Sequence, residues 1–379
     1  MSLRPPPLTA RPSVVVISDR VEDGRTASGD TPPPRYAEPV RRQDGGPVAV
    51  AGSYLERLPL ALVATGIVEQ AEIWHHWCGD GPAPYERDSD VLARRAFRLD
   101  HDAAPFASAA MEDFVRRYGA PHILVVYGLG VAPALLALCA NSVIIYNSID
   151  APALRVPPEC SAHFDLVLTG APWQSDVVGA RHPGIATAIL PVGPEFAAVD
   201  QFRPLGTAKD VDLIYVAAAQ AYKRHDILFD ALAKLPRDVR ALCVFGYGEM
   251  ADDLRHRAAE QQLSVEFVGP PGVAIEAVNR LMNRARFGVV CGVDDGAPAI
   301  LTEYMLAGLP VLANADLSCG LQYILPETGI TATATEFAEA IMQLRATASE
   351  YAPRAVVLDR WTWPHSVARL SRVIETIMT

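Results

Sequence analysis

Short apolar runs alternate with longer amphipathic runs along nearly all of this 379-residue chain, and they do so in two successive series. The first series opens on SVVVISD (Ser13–Asp19). Helical spacing follows at SYLERLPLALVATG, then a strand-like AEIWHHW, a helix at MEDFVRRYG, strand HILVVYG, helix VAPALLALCA and strand SVIIYNSID. FDLVLTG, PWQSDVVGARH and ATAILPVG continue the order strand, helix, strand. PEFAAVDQFRPLGTAKD (Pro194–Asp210) has no strong period and reads as a linker. The second series runs VDLIYVAAA, HDILFDALAKL, VRALCVFGYG, EMADDLRHRAAEQQ, SVEFVG, AIEAVNRLMNRA, FGVVCGV and a helix that leads into VLAN. Continuous apolar strands separated by helices predict parallel sheets covered on both faces. The fold class expected is α/β, with two doubly wound domains facing a central cleft. Ligands of such sheets bind outside the carboxyl ends of the strands.

Composition narrows the function. Against 44 acidic residues stand 33 Lys and Arg, a formal charge of −11, which argues against a general nucleic-acid binder. No run of eighteen apolar residues reads as a membrane span. The start, MSLRPPPLTARPS, is proline-rich and lacks an apolar stretch of signal-peptide length. A cytoplasmic protein is expected, with peripheral membrane contact left open. The six cysteines (Cys78, Cys139, Cys160, Cys243, Cys291 and Cys319) form no CxxC pair, so buried reduced thiols are expected rather than a metal site or a disulfide framework. Arg20 to Gly46 is a long polar stretch rich in Gly, Pro and charge, and a loop of that length is either functional or disordered.

The segment DDGAPAILTEYMLAGLPVLAN (Asp294–Asn314) carries the strongest chemical signal. Asp295 is followed eight residues later by Glu303. Pro298 suits a first helical residue, and Gly308 marks the helix end before a new apolar strand. One acid then lies just before a helix start, and the other about one turn inside it. The free N–H groups and dipole at that end favour an anion. Carboxylates accept hydrogen bonds from vicinal hydroxyls. Hydroxyls together with phosphates describe a nucleotide sugar, although each acid taken singly reads first as a solvated surface group.

Here the chain resembles the retaining GT-B glycosyltransferases of family 4, the glycosyl transferases group 1. Their pattern E-G-F-G-L-P-x-x-E-A-M-A-x-G-x-P-V-V-A meets D-G-A-P-A-I-L-T-E-Y-M-L-A-G-L-P-V-L-A in this chain. Gly296, Glu303, Met305, Gly308, Pro310, Val311 and Ala313 match in register, Asp295 replaces a Glu, and Pro298 replaces a Gly. YVAAAQAYKRHDILFDAL places Lys223 at the family's lysine, while the family's arginine position falls on Ala218. The resemblance implies that Lys223 contacts the donor diphosphate, with neighbouring Arg224 as a substitute cation. It implies that Glu303 holds the ribose hydroxyls and that Asp295 faces the donor sugar. Gly296 and Ala297, at the expected helix start, and Gly246 and Gly248 of VFGYGE complete the implied nucleotide site.

In the first series the resemblance holds only in outline. Gly45–Gly46 is the candidate for a loop near the donor phosphates, with a plain turn as the alternative. Asp150, at the end of IIYNSID, is the candidate acceptor-side group, or else a helix cap before APAL. His75 and His76 alternate on a strand, so one ring is expected packed, and the other solvated or facing the cleft. Trp361 and Trp363 are expected to be structural. Residues 1–203 would form an acceptor-binding Rossmann-like domain and 204–360 a nucleotide-sugar domain, with 361–379 a helix crossing back. The implied activity is a metal-independent hexosyl transfer from a nucleoside diphosphate sugar, UDP- or GDP-linked, to a hydroxyl acceptor with retention, and no resident cofactor is called for. A sugar-nucleotide 2-epimerase or a degenerate interaction module on the same fold are the alternatives.

Overall fold

The computed structural model describes residues 13–23 and 48–378. Gly45, Gly46 and most of the long polar stretch lie outside the described residues. The described residues form two compact units, one built from residues 13–23, 48–192 and 363–378, the other from Gly193–Thr362.

In chain order the first unit contains β1 (Ser13–Glu22), α1 (Tyr54–Ala64), β2 (Gln70–Trp77), β3 (Tyr85–Arg87), β4 (Leu92–Arg98), α2 (Ala109–Tyr118) and β5 (Ile123–Tyr127). It continues with α3 (Pro133–Leu138), β6 (Val143–Asn147), α4 (Pro158–Ser161), β7 (Leu166–Thr169), α5 (Pro172–Arg181) and β8 (Ala186–Ile189). Its sheet has the order β3-β4-β2-β1-β5-β6-β7-β8 and is parallel except for the edge strand β3. The core strands carry Val14, Val15, Val16 and Ile17, then Leu124, Val125 and Val126, all buried. A strand that buries every residue has lost the two-residue alternation of a half-exposed one, as expected for a sheet covered on both faces.

β4 escapes sequence reading because LARRAFR carries two arginines. Both are neutralised inside the fold: Arg95 Nη2 lies 3.1 Å from Glu72 Oε1, and Arg94 Nη2 lies 2.9 Å from Glu56 Oε1. The expectation for His75 and His76 is corrected, because both rings are buried. β2 lies inside the sheet, between β4 and β1, so alternate side chains meet packing on either face. His75 Nδ1 pairs with Ser18 Oγ at 2.7 Å, and the His76 ring packs against Phe106 with centroids 4.5 Å apart.

The second unit contains β9 (Val211–Val216), α6 (His225–Leu232), β10 (Ala241–Val244), α7 (Ala251–Glu260), β11 (Val265–Val268), α8 (Ile275–Met282) and β12 (Ala285–Val290). After these come α9 (Ile300–Leu306), β13 (Val311–Asn314), β14 (Gly329–Ala332), α10 (Phe337–Thr347) and α11 (Pro353–Arg360). Its sheet, β11-β10-β9-β12-β13-β14, is wholly parallel. One apolar cluster gathers Leu213, Tyr215, Phe229, Phe245 and Phe337, and another gathers Val211, Ile214, Tyr304, Met305 and Trp361. Alternate residues of β9 therefore feed the two faces. The final helix, α12 (Trp363–Met378), packs in the first unit against α1 and β8. Among the described residues no helix is long and apolar enough to cross a membrane.

The segment Pro194–Asp210 contains neither helix nor strand, yet it is not a free linker. Glu195, Phe196, Ala197, Ala198 and Phe202 are buried in the second unit. Asn279 Oδ1 accepts from Arg203 N at 3.1 Å, and Asn283 Oδ1 accepts from Leu205 N at 2.7 Å. Asn279 of α8 and Asn283 at its carboxyl cap supply the hydrogen bonds that a strand or helix would otherwise provide.

Candidate active site

Strand order locates the site in the second unit. From β9 the chain moves outward to β10 and β11, then returns to the other side of β9 with β12 and continues outward through β13 and β14. The carboxyl ends of β9 and β12 thus flank the switch point, where a doubly wound sheet opens a crevice.

The loop after β9 carries Lys223. Its last turn, Ala221–Lys223, is a single 3₁₀ turn, and the Tyr215 hydroxyl donates to Lys223 O at 2.6 Å. Tyr215 is buried, and burial pushes its phenol well above the usual range, so it stays a donor. The loop after β12 carries Asp295. Lys223 Nζ and Asp295 Oδ2 form an ion pair between side chains only 15% and 10% exposed. Asp295 Oδ1 accepts from Gly296 N at 3.0 Å, and the Lys223 ammonium also lies 4.7 Å from the Tyr222 ring centroid. An ammonium carries three donors, and Asp295 takes one of them.

The helix after Asp295 starts later than its sequence suggests. Pro298 is not its first residue, because α9 begins at Ile300. Ala297 is buried at φ +63°. The chain then makes a turn in which Leu301 N donates to Pro298 O at 3.2 Å, and the regular helix begins only after Ala299. The carbonyl of Ala297 lies where a Cβ on Gly193 would come within 2.8 Å, which ties this turn to the start of the unit. Glu303 is the fourth residue of α9 and partly buried. It sits one turn inside the helix, as read from sequence.

Arg224 is engaged differently from Lys223. It occupies the left-handed region at φ +52°, immediately before α6, and its guanidinium binds its near neighbour Asp226 through Nε at 3.0 Å and Nη2 at 2.8 Å. The hydrogen bond to Arg224 holds the Asp226 carboxyl below the ordinary range. Ala218, at the missing arginine position, is buried. Of the VFGYGE glycines, Gly248 has φ +127°, and a Cβ there would run into the backbone of Ala219. Ala219 N donates to Tyr247 O at 2.7 Å across this approach. Gly248 thus lets the loops after β9 and β10 touch, while a Cβ on Gly272 would approach Gly246 Cα to 3.0 Å.

Two aromatic supports were invisible in the sequence. Tyr304 of α9 accepts from Val216 N at 2.7 Å and donates to Ile214 O at 3.2 Å, so its ring joins the helix to the end of β9. Tyr215 does the same for the Lys223 turn. Both read as ordinary apolar positions, and the only local hint is a phenol in a strand or helix that is otherwise aliphatic. Tyr304→Phe strands a buried amide and is expected to cost about 1–3 kcal/mol. An unchanged urea midpoint for that variant would remove Tyr304 from this role.

In the first unit Asp150 follows β6 through a strained turn. Ile149 has φ +58°, a conformation rare for a β-branched residue. Asn147 Oδ1 accepts from Ile149 N at 3.1 Å, and Ser148 Oγ donates to Asp150 O at 2.8 Å. No helix starts at Ala151, the next one being α4 at Pro158, so Asp150 caps none; its carboxylate instead forms an ion pair with Arg155.

Against known proteins, residues 210–347 match the family described as glycosyl transferases group 1. No curated protein matched the chain by sequence. Among solved structures, sucrose-phosphate synthase from Thermosynechococcus elongatus superposes with a TM-score of 0.69 at 17% identity, covering 97% of this chain and 99% of that one. Anabaena HepE, solved in complex with UDP and glucose, gives 0.63 at 14% identity, covering 96% and 99%. The lipopolysaccharide outer core galactosyltransferase WaaB gives 0.59 at 12% identity over 96% and 99%. The two parallel-sheet, Rossmann-like units have the fold of GT-B glycosyltransferases, and the match to the group 1 family lies within the second unit.

Proposed function

We propose, from the group 1 match over residues 210–347 and the Lys223–Asp295 pair at the switch point, that this protein moves a hexosyl group from a nucleoside diphosphate sugar to a hydroxyl acceptor. The observation that carries the reading is the placement of one semi-buried cation at the carboxyl ends of β9 and β12. As the bond from the sugar to the diphosphate breaks, negative charge grows on the leaving oxygen. A preorganised ammonium stabilises that charge more than it stabilises the bound donor. Asp295 orients the ammonium and leaves it further donors, and the Gly296–Ala299 turn brings backbone amides to the same end. Glu303 would accept from the ribose hydroxyls. We further propose retention of configuration and transfer without a metal, the charge of Lys223 serving where a cation would otherwise sit. The HepE structure contains UDP and glucose, which makes UDP-sugars the first donors to test.

The test is a thermal-shift screen against UDP, GDP, ADP and TDP and their sugars. A ligand at a hundred times its Kd should stabilise the protein by about 2.7 kcal/mol. A screen in which none of them raises the Tm would overturn the reading. For the nucleotide that binds, Glu303→Gln should weaken affinity about ten- to a hundred-fold, the worth of a hydrogen bond to a charged group. Equal affinities of variant and parent by calorimetry would remove Glu303 from ribose recognition.

A further inference from the structure

The first unit repeats the switch-point geometry, and a residue that the sequence did not single out stands there. From β1 the chain goes to β2 and β4 on one side, then returns to the other side of β1 with β5, β6, β7 and β8. β1 pairs with β5 only as far as Ile17, and its pairing with β2 is interrupted between Ile17 and Val21. Asp19 lies in this interruption, where β1 parts from β5. Such irregularities re-aim side chains beside functional sites. Gly128, just after β5, has φ +59°, and a Cβ on it would overlap the Asp19 carboxylate. The missing side chain of Gly128 is what gives Asp19 its place at the crevice.

Asp150 and Arg155 complete the surroundings. Their ion pair lies within electrostatic reach of Asp19. Arg155 is held from its other side by the Tyr146 hydroxyl, which accepts from Arg155 N at 3.1 Å and donates to Gly128 O at 2.7 Å. The Arg155 guanidinium is turned to Asp150, and among the described residues no side chain donates a hydrogen bond to Asp19. Asp150 is therefore committed to a cation, while Asp19, which also takes a hydrogen bond from its own backbone, keeps acceptor capacity for a hydroxyl.

We infer that Asp19 is the carboxylate that receives the acceptor hydroxyl, with Asp150 and Arg155 as positioning residues that set its charge. This inference rests on the proposed transfer reaction and moves the acceptor role from Asp150 to Asp19. In its ionised form Asp19 accepts the hydrogen bond of the attacking hydroxyl and orients its oxygen, which bonds to the sugar carbon as the bond to the diphosphate breaks, the hydroxyl proton leaving with the diphosphate oxygen; protonated, Asp19 is only a weak neutral acceptor. Burial, then the like charge of Asp150, raise the Asp19 carboxyl above its ordinary range, while Arg155 pulls it back. The buried Tyr146 phenol, itself pushed up by burial, stays neutral. Activity should therefore rise with pH as Asp19 ionises.

The full chain is assayed for release of nucleoside diphosphate from UDP-glucose, GDP-mannose and ADP-glucose with water as the hydroxyl probe. For the donor that is used, Asp19→Asn should lower kcat about tenfold or more, as loss of a charged hydrogen bond does, with nucleotide affinity unchanged. Asp150→Asn removes the like charge and should move the acid limb of the pH profile to lower pH. Arg155→Gln removes the counter-charge and should move it to higher pH. A purely structural role would not produce shifts of opposite sign. Parent-like kcat in Asp19→Asn, or limbs that move in the same direction in the other two variants, overturns the inference while leaving the transfer reaction standing. No diphosphate release from the parent with any of the three donors, together with no thermal shift from any nucleotide or nucleotide sugar, overturns the transfer reaction itself.

Discussion

Lys223→Ala is expected to lower turnover about a hundred- to a thousand-fold, the usual cost of removing one preorganised group that faces developing charge. Nucleotide affinity should fall far less, because the ground-state diphosphate gains less from the ammonium than the departing one does. The substitution also breaks a semi-buried ion pair, which can cost several kcal/mol by leaving Asp295 uncompensated. Stability and catalysis therefore have to be separated. The double variant Lys223→Ala/Asp295→Ala removes both charges, so it should regain most of the lost stability and none of the lost turnover. A double variant as active as the parent would reduce the pair to a structural tie. A single variant with parent turnover would take Lys223 out of the mechanism.

Acidification is expected to destabilise the protein steeply between pH 6.5 and about 4. Three histidines are buried: His75, pushed down to about 3, and His76 and His225, each pushed down to about 4. Desolvation is the main cause for each, and His225 is further disfavoured as a cation by nearby Lys223. In the unfolded chain these rings take up a proton near pH 6.5. Over that window the unfolded state binds more protons than the folded one, so stability falls as pH falls. Each ring contributes a slope of about 1.4 kcal/mol per pH unit, which makes His225 alone worth on the order of 3 kcal/mol by pH 4. Both ring nitrogens of His225 lack a hydrogen-bond partner among the described residues, and the ring sits 4.7 Å from Tyr215 and 5.3 Å from Phe245. His225→Phe should keep that packing and flatten the slope, leaving the variant more stable than the parent at pH 5. Urea unfolding at pH 7.5, 6 and 5 measures this. An equal slope in variant and parent would show that His225 is accessible to protons in the folded state.

The parts of the fold that could be read in advance were those with local causes. β1, β5, β6, β9 and β12 are apolar runs between turn residues, and each formed where the pattern placed it. β4, β14, α10 and α11 were not read. β4 hides behind Arg94 and Arg95, whose charges are cancelled by Glu56 of α1, Glu72 of β2 and Asp88 of the loop before β4. Phe337–Thr347 becomes α10 by burying Phe337, Ile341 and Leu344 against the second sheet, and its weak caps give little warning. At the site, Asp295, Glu303 and Lys223 could be singled out because spacing and charge type are properties of the chain itself. Their mutual arrangement could not.

What the sequence determined by itself was therefore the inventory: two series of strands and helices, an acid pair spaced across a helix start, and a basic pair after β9. Only the tertiary structure decided which charges are already spent. It paired Lys223 with Asp295 across 72 residues, turned Arg224 to Asp226, and brought Asp19 within electrostatic reach of Asp150 and Arg155 against a glycine just after β5. The physical reason is that ion pairing depends on distance in space. Strand order, which brings β9 next to β12 and β1 next to β5, follows from how the sheets bury both faces, and no local run of residues encodes it.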